Sequence, residues 1–298
     1  MFDVVILTDY RYVNPEKVDW YIRQVLDEDR FLQTALENKG LKVCKKDWAD
    51  KEFDWTTTKY AIFRTTWNYF TRFEEFFNWL EKTKNKTTFI NSAEIILWNI
   101  DKHYLQDLAK NNINIAPTLF VEKGDEITLH QLFEKTKWRE VVIKPAISGA
   151  ALHTYRITPS NCSEFEDLFQ QLIQKECMLF QEFLENIISN GEISLIMIGG
   201  KFTHAVKKIA KKGDFRVQDD HGGKVEKYTP NKEEITFAEN CLKAIPYTPV
   251  YARVDIVYDN NNQPSLSELE LIEPELWFRN YPKAAEFLAV EIEKLFCR

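Results

Sequence analysis

The sequence predicts an α/β unit over its first third and a mixed α+β remainder, and three observations carry that prediction. Short apolar runs alternate with amphipathic helical segments up to about Ile90. Helices and strands are intermixed in the middle of the chain. The last third is rich in strands with alternating polar and apolar residues.

Residues 3–7 form a short apolar run of the kind that lies in a parallel sheet buried on both faces. Residues 18–38 place Ile22, Val25, Leu32, Ala35 and Leu36 at helical spacing, and Gly40 suits the turn that closes a helix. Strands are predicted over 41–44, 60–63 and 87–90, with a helix over 72–82. This βαβ rhythm predicts a parallel sheet with helical crossovers. The nine glycines form neither GxGxxG nor GxxxxGK[ST], so the first unit has Rossmann-like architecture without its phosphate fingerprint. Residues 91–99 are the expected first boundary. Helices follow over 101–110, 128–135 and 161–175, with strands over 118–121, 140–144, 154–157 and 178–182. The last part predicts strands over 193–198, 202–208, 250–258 and 266–271, and helices near 233–243 and 283–296.

Composition bounds the function. Of 298 residues, 44% are hydrophobic and 29% charged, which excludes a disordered or collagen-like chain. The net charge of −7 argues against a general nucleic-acid binder. No apolar run approaches the ~20 residues that span a bilayer. The opening Met1-Phe2-Asp3 lacks the basic leading region of a signal peptide. Cys44, Cys162, Cys177, Cys241 and Cys297 are scattered and form no CxxC pair, and the five histidines are equally dispersed. Free thiols in a reducing, cytoplasmic setting are expected, without a structural zinc site.

The chemistry concentrates at the C-terminal end. Tyr251-Ala-Arg-Val-Asp-Ile-Val257 alternates as a strand, so Arg253 and Asp255 share a face. Residues 259–264 are turn chemistry, and Leu266-Ser-Glu-Leu-Glu-Leu-Ile-Glu-Pro274 alternates again. In a hairpin centred near Asn261 and Asn262, Asp255 falls opposite Glu268 and Arg253 opposite Glu270, with the register open by a residue or two. Clustered carboxylates raise one another's pKa unless a cation neutralises them, and Mg²⁺ with substrate phosphates is the natural neutraliser. The plain alternative is an exposed acidic hairpin, but Val254, Ile256, Leu269 and Leu271 make the opposite face core.

Four weaker signals accompany it. Val141-Val-Ile-Lys144-Pro145 ends an apolar strand on a lysine and runs into a small-residue loop with Ser148 and Gly149, where backbone N–H groups can meet a phosphate. A lysine that snorkels from a strand end is equally compatible. Lys102 falls in the first turn of a predicted helix. Gln181-Glu-Phe-Leu184, followed by Gly191-Glu192, is an apolar strand leading into a linker. Lys207-Lys208 through Arg216 is a basic run of the kind that is usually a solvated loop, with Arg216, between Phe215 and Val217, as the exception.

In this order, Lys102, Val-Ile-Lys144-Pro, Gln-Glu-Phe-Leu184, Gly-Glu192, Gly-Asp-Phe-Arg216, Ala-Arg253-Val-Asp255 and Glu268-Leu-Glu270 resemble the ATP-grasp superfamily from about Asn91 onward. The nearest resemblances are to glutathione synthetase, ribosomal-protein glutamate ligases and D-alanine–D-alanine ligase. Arg64-Thr-Thr-Trp67-Asn-Tyr69, Gly-Asp-Phe-Arg216-Val-Gln and Glu-Leu-Glu270-Leu-Ile-Glu273-Pro are also similar to the cyclo-ligases of cycloserine biosynthesis.

The resemblance implies an ATP-grasp fold with a Rossmann-like domain over 1–92, a central lid over 93–180 and a C-terminal subdomain over 181–298. It implies that Lys102 and Lys144 hold ATP phosphates, with the 146–151 loop, including Ser148 and Gly149, closing over them. Glu182, Phe183 and Leu184 would meet the adenine through backbone groups, and Glu192 would accept ribose hydroxyls. Asp255 with Glu268, Glu270 or Glu273 would bind two Mg²⁺ ions, Mn²⁺ being the alternative. The family's usual Glu-x-Asn is here Glu268-x-Glu270, so the choice among the three glutamates stays open. Arg253 would stabilise an oxyanion, and Arg216 would hold the carboxylate substrate or the transferred phosphate. Thr8, Asp9, Thr66, Trp67 and Asn68 follow strand ends, where open α/β sheets bind ligands; Trp67 and Asn68 are the candidate substrate contacts. The expected activity is ATP-dependent ligation of a small-molecule or peptide carboxylate to an amine, with ADP and phosphate released. No nucleic acid or membrane partner is expected, and the resemblance implies a homodimer. The rival readings are a small-molecule phosphotransferase and a non-catalytic nucleotide-binding module.

Overall fold

The computed structural model describes residues 1–149, 151–217 and 222–297. Ala150 of the small-residue loop, Gln218 of the Arg216 motif and His221 lie outside the described residues.

The first sheet is built from β1 (Phe2–Thr8), β2 (Val43–Asp47), β3 (Thr58–Thr65) and β4 (Thr88–Ile90), with α1 (Trp20–Glu37) and α2 (Phe73–Thr83) as crossovers. All pairings are parallel and the order is β2-β1-β3-β4. β1 and β3 are central and buried, as their apolar runs predict, while the edge position of β2 accommodates Lys45 and Lys46. β2 starts two residues later than expected. Leu41 is still part of the helix-ending turn, its N–H bonded to Leu36 O at 3.3 Å, with Gly40 at φ +78°.

The expected boundary segment contains a helix, α3 (Ala93–Asn99), followed by α4 (Tyr104–Lys110). α4 begins three residues later than the sequence implies. Asp101 turns back to accept the His103 N–H, and Lys102 sits in the preceding turn with its N–H on Ala146 O at 3.0 Å.

The second sheet contains β5 (Thr118–Val121), β6 (Val141–Pro145), β7 (Tyr155–Ile157) and β8 (Met178–Glu182), antiparallel in the order β5-β8-β6-β7. α5 (Leu129–Thr136) starts from a capping box between Thr128 and Gln131. It packs with α6 (Cys162–Ile173) on Val141, Ile143, Met178 and Phe180. A short helix, α7 (Asn186–Asn190), leads out of this sheet.

The third sheet is antiparallel and contains β9 (Glu192–Ile198), β10 (Lys201–Ile209), β11 (Lys224–Tyr228), β12 (Tyr251–Tyr258) and β13 (Pro264–Glu270). Its order is β11-β10-β9-β12-β13. The sequence does not announce the edge strand β11, because Lys-Val-Glu-Lys-Tyr has little apolar content. α8 (Lys232–Lys243) covers one face, together with α3 and α4. α9 (Lys283–Glu293) and a terminal 3-10 turn (Lys294–Cys297) pack with α1 between the first and third sheets.

Candidate active site

The β12–β13 hairpin has the expected register: Arg253 pairs with Glu270 and Asp255 with Glu268. Its edge is held by two side chains from the helices beneath. Asn99 donates to Leu269 O at 2.8 Å and accepts from Leu271 N at 2.9 Å, and Tyr104 OH accepts from Leu269 N at 3.0 Å. The hairpin's polar face opens into a cavity of about 800 Å³ rather than into solvent. The second and third sheets, α1 and the loops after β1 and β3 contribute to its wall, the loops as expected for the C-terminal ends of parallel strands.

The Arg253 guanidinium forks onto Asp255 at 2.9–3.1 Å and also contacts Glu270. Asp255 accepts from Ser194 Oγ at 2.6 Å and from Lys208 Nζ at 3.2 Å. Burial opposes its ionisation, but Arg253 and Lys208 outweigh burial and hold its pKa at about 2. Burial also opposes ionisation of Glu268, and Lys102 and Lys144 more than offset it. No such surplus of cations reaches the other two acids. Burial, with Glu268 and Asp255 nearby, lifts Glu270 to about 7 despite Arg253. Burial with Glu270 and Glu268 lifts Glu273, beside Tyr69, to about 8.

One oxygen each of Asp255, Glu268 and Glu270 lie within 4.8 Å of one another. An all-oxygen set of three carboxylates, one of them with its pKa lifted by burial and by the other two, fits a hard divalent cation such as Mg²⁺. Glu273 lines the same cavity but stands outside that set.

Across the cavity, Lys102 Nζ donates to Ser148 O at 2.8 Å and pairs with Glu268 at 3.3 Å. Lys144 has no ion-pair partner among the described residues. Burial pulls its pKa below the ordinary lysine value, with Lys102 adding to the effect and Glu268 opposing it. A half-buried cation without an ion-pair partner fits a site for an anionic ligand. Ser148 and Gly149 line the cavity beside these lysines, and a Cβ on Gly149 would stand 2.7 Å from the Phe70 ring.

Glu182, Phe183 and Leu184 line one end. Most of their backbone donors are already committed: Glu182 N to Pro117 O at 2.8 Å and Phe183 N to Glu140 O at 3.0 Å. The Leu184 N–H has no acceptor among the described residues, so a backbone donor contact falls to it alone. Glu192 pairs with Lys208 and accepts from Ser267 Oγ at 2.9 Å. Arg216 reaches the cavity wall while its guanidinium forks onto Asp214 at 2.8–3.2 Å.

On the first-domain side, Trp67 lines the cavity and donates to Glu273 O at 3.0 Å. Asn68 lines it too, but its Oδ1 accepts from Trp48 Nε1 at 2.7 Å, which ties it to the aromatic core. Thr8, Asp9 and Thr66 are not on the wall. Thr8 bonds to Thr65, and Asp9 is occupied by Arg11 at 2.6–2.9 Å; Arg11 and Tyr12 face the cavity instead.

The site residue that sequence reasoning most clearly misses is Lys208. It lies in a basic run, yet it is 4% exposed and bridges Glu192 and Asp255. The signal is present in the alternation of β10, which puts Val206 and Lys208 on one face.

Two domain families match. Residues 4–91 match the N-terminal domain of D-cycloserine synthetase DcsG, and residues 101–271 match the RimK-like ATP-grasp domain. The cycloserine biosynthesis protein DcsG of Streptomyces lavendulae is 26% identical over 263 residues, covering 82% of this chain and 86% of the relative. A probable alpha-L-glutamate ligase of Teredinibacter turnerae is 27% identical over 192 residues, 62% of each chain. The crystal structure of D-cycloserine synthetase DcsG superposes with a TM-score of 0.86 at 23% identity, covering 98% of this chain and 99% of the other. With the RimK-like match spanning more than half of its length, the chain belongs to the RimK-like ATP-grasp family.

Proposed function

We propose that the protein is an ATP-dependent carboxylate–amine ligase working through an acyl phosphate. The observation that carries this reading is the single cavity that sets Lys102 and Lys144 beside a hairpin bearing Arg253, Asp255, Glu268 and Glu270. Lys102 and Lys144 would grip the ATP phosphates, and the Ser148–Gly149 loop would lie over them. Phe183 and the Leu184 N–H would face the adenine, and Glu192 the ribose. Asp255, Glu268 and Glu270 would hold Mg²⁺, or Mn²⁺ in its place; when bound, the metal supplies charge neutralisation for phosphoryl transfer.

The substrate carboxylate oxygen attacks the γ-phosphorus and ADP leaves. The amine then attacks the acyl carbon, and phosphate leaves as the amide forms. Arg253 faces the oxyanion that develops in this second step. Arg216 would hold the carboxylate or the transferred phosphoryl group. Tyr12, Trp67 and Trp277 wall the cavity and exclude water, which limits hydrolysis of the acyl phosphate. A small-molecule or peptide carboxylate would enter between Arg11 and Trp67. The five free cysteines support a reducing, cytoplasmic setting.

Thermal unfolding with and without Mg-ATP tests the nucleotide site. At ~100 times Kd the wild type should gain about 2.7 kcal/mol. Lys144→Ala should fold normally, since no ion pair is broken, and lose that gain. An equal gain in both proteins would overturn the placement of the phosphates. Amino acids that trigger ADP release should then yield an amide; a stable phosphorylated product would favour a phosphotransferase.

A further inference from the structure

Outside the cavity, three side chains far apart in sequence converge on the outer face of the turn that carries Lys102. His103 precedes α4, Glu122 follows β5 and Cys177 precedes β8. One donor atom from each lies within 4.8 Å of the others. His103 Nε2 is 3.0 Å from Glu122 Oε1 and 3.8 Å from Cys177 Sγ. Donors sharing a tetrahedral zinc ion at bond lengths of 2.0–2.3 Å stand roughly 3.3–3.6 Å apart, so small side-chain shifts would bring these into range.

The surroundings are those of a ligating histidine. Its other nitrogen, Nδ1, lies 2.6 Å from Asp101 Oδ1. That contact can hold the proton on Nδ1 and turn the Nε2 lone pair toward the metal. The ring stacks on Phe120, with centroids 4.3 Å apart and planes 26° from parallel, which fixes its orientation. The Glu122 side chain is 59% exposed, so an ion has a path from solvent.

We propose that His103, Glu122 and Cys177 form a second metal site, selective for a zinc-like ion, with Asp101 as its supporting carboxylate. A set of one sulfur, one nitrogen and one oxygen suits a borderline-soft cation, and three protein ligands leave a fourth position for water. On binding, the thiol proton passes to solvent. No close cysteine pair announces this set, and such pairs are what the expectation against a structural zinc site rests on: Cys177 and His103 are 74 residues apart. The ion braces the back of the phosphate site through two backbone links. Cys177 O accepts from Ala146 N at 2.9 Å, and Ala146 O accepts from Lys102 N at 3.0 Å.

The full chain, stripped of metal and kept in excess Mg²⁺ to fill the oxygen-only site, is titrated with Zn²⁺ and with Cd²⁺. One equivalent of Zn²⁺ should bind, and Cd²⁺ should give the ultraviolet charge-transfer band of a metal-bound thiolate. Cys177→Ser should abolish the band and His103→Gln should weaken Zn²⁺ binding at least tenfold. Asp101→Asn should weaken binding about 10–100-fold while the band persists. Cys297→Ser should change nothing. Absence of the band, its survival in Cys177→Ser, or unchanged Zn²⁺ affinity in His103→Gln would each overturn the proposal.

Discussion

Replacing Arg253 with methionine keeps much of the side chain's apolar bulk and deletes a charge that touches two carboxylates at once. Removing one partner of a buried ion pair costs about 3–5 kcal/mol, because the remaining charge stays in a poorly solvated site. Lys208 still faces Asp255 at 3.2 Å, so the lower end, about 3 kcal/mol, applies here. An unfolding entropy of roughly 2.1 cal/mol/K per residue gives about 0.6 kcal/mol/K for this chain. The Tm of the metal-free variant should therefore fall by about 5 °C if the chain unfolds as one unit. Mg²⁺ should recover part of that loss, since the freed carboxylates are its proposed ligands. Turnover should fall about 10²–10³-fold, the usual cost of removing an oxyanion donor. Calorimetry with and without Mg²⁺, ADP release at saturating substrate, and a nucleotide-binding titration together separate the effects. A kcat within about tenfold of wild type refutes the oxyanion role. A nucleotide Kd that rises in step with the loss of kcat would place Arg253 in ATP binding instead.

Two further outcomes follow from the same geometry. Gly191 sits at φ +70°, and a Cβ there would lie 2.4 Å from Lys208 O, so Gly191→Ala should destabilise the protein by at least about 2 kcal/mol in urea unfolding and displace the Glu192–Lys208 pair. Burial holds His204 neutral, with its pKa lowered to about 4 against roughly 6.5 when unfolded. Its contribution is therefore complete above about pH 6.5 and is lost as the pH falls toward 4; the wild type should lose up to about 3 kcal/mol more over that window than His204→Asn, and equal losses would refute the assignment.

The hairpin is legible in the amino-acid sequence because two independent signals agree. Period-2 alternation fixes the faces, and a turn centred near Asn261 and Asn262 brings Arg253 to Glu270 and Asp255 to Glu268; the fold reaches those pairs through a register shift between Asp255 and Ile256 that residue order does not announce. Lys208 is not legible, because its neighbour Lys207 makes the segment resemble solvated charge. The alternation that distinguishes the two becomes decisive only when one face of β10 is known to be covered. The site between His103 and Cys177 is invisible for another reason: no local pattern records which loops a β-sheet brings together. The same limit applies to α3, whose Asn99 looks like linker polarity in sequence. In the fold it satisfies two backbone groups at the unpaired edge of β13.

The first domain contributes more than a wall to the cavity. Glu28 of α1 and Arg64 of β3 are both buried, charges that sequence logic assigns to the surface. A buried ion pair is weak evidence for stability, so their placement needs another account. Glu28 accepts from Leu276 N and Phe278 N, each at 2.8 Å, and Arg64 donates to Pro274 O at 2.7 Å. Tyr251 OH adds a bond to Ile272 O at 2.6 Å. These contacts satisfy a stretch that has no sheet or helix partner of its own. Between the two Glu28 bonds lies Trp277 at φ +55°, a left-handed conformation that persists in a bulky residue only when its surroundings over-determine it. Glu273 and Trp277 reach the cavity from this segment. A change in how α1 sits would thus reach the acidic hairpin and the aromatic wall together, and the first domain cannot be exchanged without resetting the geometry beside the proposed metal ligands.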